Sequence, residues 1–361
     1  MEAQTRLDEA VPESQRRLSQ PATTLATHGY IVQEVIGQGT YAIVKKAFWS
    51  KHNRTVAIKI MSKINAGEVF LQKCVPRELD VIRSLRHENI IHFYEVIETT
   101  MRIYISMRYA ENGSLLQLIR KETRLAEPRA RRYYRQLISA LEYIHAAGFA
   151  HRDIKLENMV LDVNDRLKLI DFGFACRLGT DENGNARSPR EKPYMSGTFC
   201  GSHAYASPEI LRFKPYDPIP ADIWASGVVL YSLLFGKLPF SNHKQVNVLL
   251  EVRWRSSSNY LSANVVYFPP FPFTRNNQKI SQGVRFPAGV TVTEEVKNFL
   301  KQIFVPVQKR LTWPLLGRSL WFYIELENDA KEEPKEEDPA PDGRVDEPPA
   351  AKRSKTDNKT K

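Results

Sequence analysis

The chain has 361 residues, 42% of them apolar and 26% charged, and a formal net charge of +11. That length exceeds the roughly 250–300 residues at which a single hydrophobic core stops growing, so two lobes plus tails are expected, and no window approaches the roughly 18 uninterrupted apolar residues of a membrane helix. The charge admits a nucleic-acid binder, but Lys and Arg are dispersed apart from Arg129, Arg131, Arg132 and Arg135, and no zinc-finger or RNA-platform motif accompanies them; a basic surface for anionic partners fits better.

Residues 1–29 read as a flexible leader. "MEAQTRLDEAVPESQRRLSQPATT" is polar and lacks the apolar centre of a signal peptide. From Tyr30 the pattern changes: "YIVQEVIGQGTYAIVKKAFW" predicts two strands in a glycine-bearing hairpin, and "RTVAIKIMS" a third strand. "PRELDVIRSLR" sets Leu79, Ile82 and Leu85 at helical spacing, with Pro76 near the start. "IIHFYEVIE" and "RIYISMRYA" read as strands, and "NGSL" breaks the pattern. "PRARRYYRQLISALEYIHAAG" is a long amphipathic helix that Gly148 should stop. The remainder reads as helix-rich, with long loops at 177–203 and 253–285, so the seam falls near Tyr109–Gly113. Beyond about Phe322 the sequence is Glu, Asp, Pro and Lys with almost no bulky apolar side chains. It cannot offset its own ordering entropy, so 323–361 should be disordered. "AKRSK" within it is a weak nuclear-import signal; a solvated tail is the plainer reading. Cys74, Cys176 and Cys200 make no metal spacing and fit a reducing, intracellular compartment.

The chemistry concentrates in "HRDIKLENMVLDVNDRLKLIDFG", His151 to Gly173. Phosphoryl transfer needs little covalent chemistry. It needs a nucleotide held by its phosphates, a metal to neutralise charge, and a carboxylate to orient the incoming hydroxyl. The apolar runs "MVL" and "LKLI" suit a short hairpin that would bring Asn158 and Asp171 together, and an amide plus a carboxylate are hard oxygen ligands suited to Mg²⁺. Asp153 would then sit a turn away to accept the hydroxyl's proton, with Lys155 holding the transferring phosphate.

These residues resemble the catalytic loop and metal motif of protein kinases. Other stretches resemble the family in its own order, from about Tyr30 to Phe322. "GQGTYAIV" resembles the glycine-rich phosphate loop, "VAIK" with Lys59 the lysine on the α- and β-phosphates, and Glu78 the glutamate that pairs with it. "SPE" at 207–209, "DIWASG" at 222–227 and Arg310, the expected partner of Glu209, complete the series. Lys155 two places after Asp153 resembles serine/threonine kinases. "GTFCGSHAYASPEIL", "PRELDVIRSLRHENIIHFYEVIE" and "KLIDFGFAC" are similar to testis-specific serine/threonine kinases in the calcium/calmodulin-dependent-like group.

The resemblance implies an α+β bilobal protein-kinase fold. Its kinase domain would span 30–322: a small antiparallel, β-rich N-lobe with one main helix over 30–108, and a helical C-lobe over 112–322. It implies ATP and Mg²⁺ as cofactors, with Ile36, Gly37, Gln38, Gly39, Thr40, Tyr41, Ala42, Val44, Ala57, Lys59, Met107, Arg108 and Ala110 around the nucleotide. Arg108–Ala110 would offer backbone donors and acceptors to adenine, and Asn158 and Asp171 would bind metal. Thr198 would be the activation-loop phosphoacceptor for an upstream kinase, its phosphate paired by Arg152. Ser202 would contact Asp153 and Lys155, and Glu157 would meet a basic residue of a protein substrate, although Ser114 stands where many basic-directed relatives carry a carboxylate. His151 and Phe172 read as packed core residues and Asp222 as a buried acceptor. The implied activity is ATP-dependent phosphorylation of Ser or Thr on proteins, in signalling during sperm formation, in the cytoplasm with the nucleus as a second site. The competing reading is a pseudokinase scaffold, though it usually lacks Lys59, Asp153 or Asp171.

Four departures stand out. Ala42 replaces the third loop glycine, which costs little unless that position needs positive φ. Ser207 replaces the usual alanine before Pro208. "RWRSSSNYLSANVVYFPPFPFTRNNQ" is an atypical insertion at about 253–279, and "LTWPLLGRSLWF" diverges from the family's usual ending.

Overall fold

The computed structural model describes residues 23–39, 42–64, 75–179, 195–197, 201–212, 215–240 and 283–323. Thr40, Tyr41, Cys74, Thr198, Cys200, the 253–279 insertion and the tail from 324 lie outside the described residues.

Five strands, β1 (Tyr30–Gln38), β2 (Ala42–Trp49), β3 (Arg54–Ser62), β4 (Phe93–Glu98) and β5 (Arg102–Arg108), form one antiparallel sheet in the order β1-β2-β3-β5-β4. β-Branched and aromatic residues are frequent in them, as strand propensity favours. The register sorts the side chains. Ala57 pairs with Lys46 and Met107, Lys59 with Val44 and Ile105, and Met61 with Ala42 and Ile103. Because alternate residues share a face, this inner face carries Ala42, Val44, Ala57, Lys59, Met61, Ile103, Ile105 and Met107. All except Lys59 join the main hydrophobic core.

The outer face has its own smaller core of Tyr30, Ala47, Trp49, Val56, Ile58, Ile97 and Tyr104, which Leu25 joins. Leu25 sits on a short helix, α1 (Thr24–Thr27), capped by the Thr23 side chain. Gly29 O accepts from Ser50 N and Ser50 Oγ, and His28 O from the Trp49 indole. The leader expected to run to residue 29 therefore has its last turn docked on the sheet. One buried leucine in a polar stretch gives no periodic signal.

Helix α2 (Val75–Ser84) packs Val75, Val81 and Ile82 inward together with Glu78. The C-lobe begins with α3 (Leu115–Glu122), started by a capping box between Ser114 and Gln117. Next comes α4 (Glu127–Ala146); Gly148, at φ 81°, terminates it. Short pairs follow: β6 (Phe149–Ala150) with β9 (Cys176–Arg177), and β7 (Met159–Leu161) with β8 (Leu167–Leu169). Beyond them lie α5 (Pro208–Leu211), α6 (Pro218–Phe235), α7 (Glu294–Ile303), α8 (Trp313–Leu316) and α9 (Leu320–Tyr323). By length and composition α6 could cross a membrane, but 89% of it is buried inside the C-lobe, which is how an all-round apolar helix serves as a core element.

The lobes are stitched near the site. Leu169 N donates to Asn89 O at 2.8 Å and Ile91 N to Leu169 O at 3.0 Å, so β8 carries backbone bonds to the segment entering β4.

Candidate active site

The hairpin predicted from "MVL" and "LKLI" forms as β7–β8, with Met159 opposite Leu169. Its open end brings the two expected metal ligands together: Ile170 N donates to Asn158 O at 2.9 Å, and Asp171 follows directly. Asp171 adopts φ 63° and Arg152 φ 65°. Non-glycine residues in this region cost of order 1–3 kcal/mol each, so the surrounding contacts must hold them.

For Arg152 those contacts are explicit. The Asp222 carboxylate, 1% exposed on α6, accepts from Arg152 N at 2.8 Å and His151 N at 2.9 Å. It also pairs with His145 Nε2 at 2.9 Å. Burial opposes ionisation of Asp222, but His145 and these donors outweigh it and keep its carboxyl below the ordinary value. The His151 ring lies 5.0 Å from the Phe172 ring, and both side chains are fully buried. The expected roles of His151, Phe172 and Asp222 hold.

Asp153 is the hub. Lys155 Nζ donates to its Oδ2 at 2.6 Å, Asn158 Nδ2 to the same oxygen at 3.0 Å and to its backbone oxygen at 2.9 Å, and Ser202 Oγ to its Oδ1 at 3.3 Å. Lys155 also reaches Ser202 Oγ at 3.3 Å. With its nitrogen committed to Asp153, the Asn158 amide keeps a carbonyl oxygen for a ligand.

Above this network Lys59 donates to Glu78 at 2.5 Å and to Asp171 Oδ1 at 2.9 Å. Burial would push the Lys59 ammonium down; Glu78 and Asp171 outweigh it and hold it above its ordinary value. Burial pushes Glu78 up, only partly offset by Lys59. Burial also raises Asp171, but Lys59 more than reverses this, and its carboxyl lies below the ordinary 3.8. The Asp171 side chain keeps 40% of its exposure, against 4% for Glu78. One carboxylate thus faces the cleft and the other holds the lysine from behind.

Residues expected around the nucleotide share the inner sheet face: Gly37 and Lys59 both pair with Val44, and Ala57 with Met107. Gly39 N donates to Ala42 O at 2.8 Å, tightening the loop. Ala42 is not among the positive-φ residues, so its methyl replaces the third glycine without strain. Ile36 and Gln38 are exposed at the end of β1. At the expected hinge, Arg108 N donates to His92 O at 2.8 Å, so that donor is taken up by the sheet.

Around the acceptor side, Glu157 is exposed beside Tyr205, whose hydroxyl is kept protonated by burial and by the Glu157 carboxylate. Arg152 Nε donates to Phe174 O at 2.7 Å and Nη1 to Ser196 Oγ at 2.9 Å. Arg310 makes a two-pronged pair with Glu209, at 2.5 and 3.0 Å, as the motif order implies. Ser207 is fully buried at the start of α5 and its Oγ has no hydrogen-bond partner among the described residues.

A protein kinase domain matches residues 30–322. The chain belongs to the protein kinase family. Among its relatives, human testis-specific serine/threonine-protein kinase 4 is 36% identical over 300 residues, covering 80% of this chain and 83% of that protein. Mouse testis-specific serine/threonine-protein kinase 3 is 38% identical over 283 residues, covering 78% and 91%. The kinase uses ATP to phosphorylate proteins and is of the serine/threonine class by this likeness. Nothing in the site favours a scaffold without catalysis, since Lys59, Asp153 and Asp171 are all present and held together by Glu78, Asn158 and Lys155. Sequence reasoning missed His145 as a partner of Asp222. The two lie 77 residues apart, and no spacing rule connects them.

Proposed function

We propose that this chain transfers the γ-phosphoryl group of ATP to serine or threonine hydroxyls of proteins, with Mg²⁺ as the metal and the residues above in the following roles. Lys59, aligned by Glu78, carries the positive charge for the α- and β-phosphates. Asp153 receives the acceptor hydroxyl, its carboxylate aimed by Asn158 and Ser202. Lys155, 2.6 Å from that carboxylate, neutralises charge on the group in flight. The Asn158 side-chain carbonyl and the Asp171 carboxylate are hard oxygen donors, brought near each other where Ile170 N, next to Asp171, donates to Asn158 O, which suits a small divalent cation. When bound, that ion draws charge off the phosphates. The Asp153–Lys155–Asn158–Ser202 network is the observation that carries this reading.

The exposed Glu157 supports a preference for Arg or Lys near the acceptor, and the bond from Arg152 to Ser196 supports a switch by an upstream kinase acting on Thr198. Kinship with testis-specific enzymes supports a role in sperm formation, with the cytoplasm as the working compartment and the nucleus as a second one.

The test is phosphate transfer from ATP to a basic Ser/Thr peptide by the full chain and by Asp153→Asn. Loss of about 10²-fold or more in kcat is expected from removing the base, in line with general base contributions. Equal activity in the two proteins would overturn the assignment.

A further inference from the structure

His145 is 8% exposed and sits near the C-terminal end of α4, between the catalytic loop and the last helices. Its Nε2 meets Asp222 at 2.9 Å, while its Nδ1 meets the indole Nε1 of Trp313 at 2.9 Å. An indole nitrogen only donates, so Nδ1 must be the acceptor and Nε2 must carry the hydrogen. One ring geometry therefore settles the tautomer. The rings lie 5.1 Å apart at 56°, a tilted contact that adds packing to the hydrogen bond.

The consequence reaches the catalytic loop. Trp313 donates to His145, His145 donates to Asp222, and Asp222 accepts the backbone N–H groups of His151 and Arg152. Arg152 is the residue held at φ 65°, and Asp153 is next. An imidazolium would set an Nδ1–H against the indole N–H, so Trp313 holds the ring in its neutral form.

We propose that Trp313 is a positioning residue for phosphoryl transfer, locking His145 as the neutral Nε2–H tautomer so that Asp222 holds the catalytic loop with Asp153 in register. It touches neither ATP nor substrate. The proposal rests on the kinase reading of the site, but its first readout does not depend on activity.

The experiment compares wild type, Trp313→Phe, His145→Phe and the double variant in the full chain. Nitrogen-15 NMR of the imidazole should show unprotonated Nδ1 and protonated Nε2 in wild type. In Trp313→Phe, which keeps a ring but loses the donor, it should show an imidazolium with both nitrogens protonated, because the Asp222 carboxylate keeps the hydrogen on Nε2 in either case. With a basic Ser/Thr peptide, Trp313→Phe should lower kcat between a few-fold and about tenfold, the scale of one hydrogen bond's net contribution. KM for ATP should stay within about twofold. The double variant should lose no more than His145→Phe alone, because both act through one path. If Trp313→Phe does not fold, benzothienylalanine at 313, which exchanges the N–H for sulfur in the same shape, answers the same question. An imidazole as neutral in the variant as in wild type, an unchanged kcat, or additive losses in the double variant would each overturn the proposal. If even wild type transferred no phosphate while Trp313→Phe still protonated the imidazole, the kinase reading would fail and the His145 lock would stand.

Discussion

At the scale of residues, Lys59, Glu78 and Asp171 show how opposed effects are resolved. Burial disfavours all three charges, yet the lysine between two carboxylates stays cationic and pulls the more exposed Asp171 below 3.8. A depressed carboxyl contributes stability that is fully present above its unfolded value and is lost as pH falls through the folded one. In metal-free protein, therefore, urea melts of wild type and Asp171→Asn should differ by a constant amount from pH 7 to pH 5. The gap should close only below pH 3.8; a gap that closed between pH 5 and 4 would show that Lys59 does not hold Asp171. The motif order made Lys59, Asp153, Asn158 and Asp171 legible. The same logic did not reveal Trp313, because its partner His145 lies 168 residues away and nothing local marks either as polar machinery.

Among elements, "RTVAIKIMS" foretold strand β3, whereas the sorting of Ala57, Lys59 and Met61 onto the cleft face follows from its register with β2 and β5. The strand order was not legible in the same way. β4 lies outside β5 at the sheet edge, a result of long-range pairing that local pattern does not encode. The docked α1 was equally hidden. Helix α6 illustrates a constraint of close approach. A methyl added at Gly227 would lie 2.6 Å from Ile303 Cγ2 and 3.3 Å from the Phe304 ring, so α6 and α7 can sit this near each other only with glycine there. Gly227→Ala should destabilise the chain by about 1–3 kcal/mol through overpacking, read as a lower urea midpoint at unchanged m-value. A midpoint equal to wild type would mean the helices separate at no cost.

For the whole molecule, two hydrophobic cores on opposite faces of one sheet leave the inner face free to carry Lys59 toward the C-lobe, while α6 fixes the catalytic loop from below through Asp222. The bilobal arrangement expected from strand-rich and helix-rich halves follows from this division. The central claim is that Asn158 and Asp171, brought together by the β7–β8 hairpin, share one cation beneath ATP while Asp153 faces the acceptor. A crystal structure with a non-hydrolysable ATP analogue and Mg²⁺ tests it most directly. The expected result is a metal ion about 2.0–2.1 Å from both the Asn158 carbonyl and an Asp171 carboxylate oxygen, with Lys59 on the phosphates. A nucleotide bound with its metal away from Asn158, or with Lys59 turned from the phosphates, would contradict it.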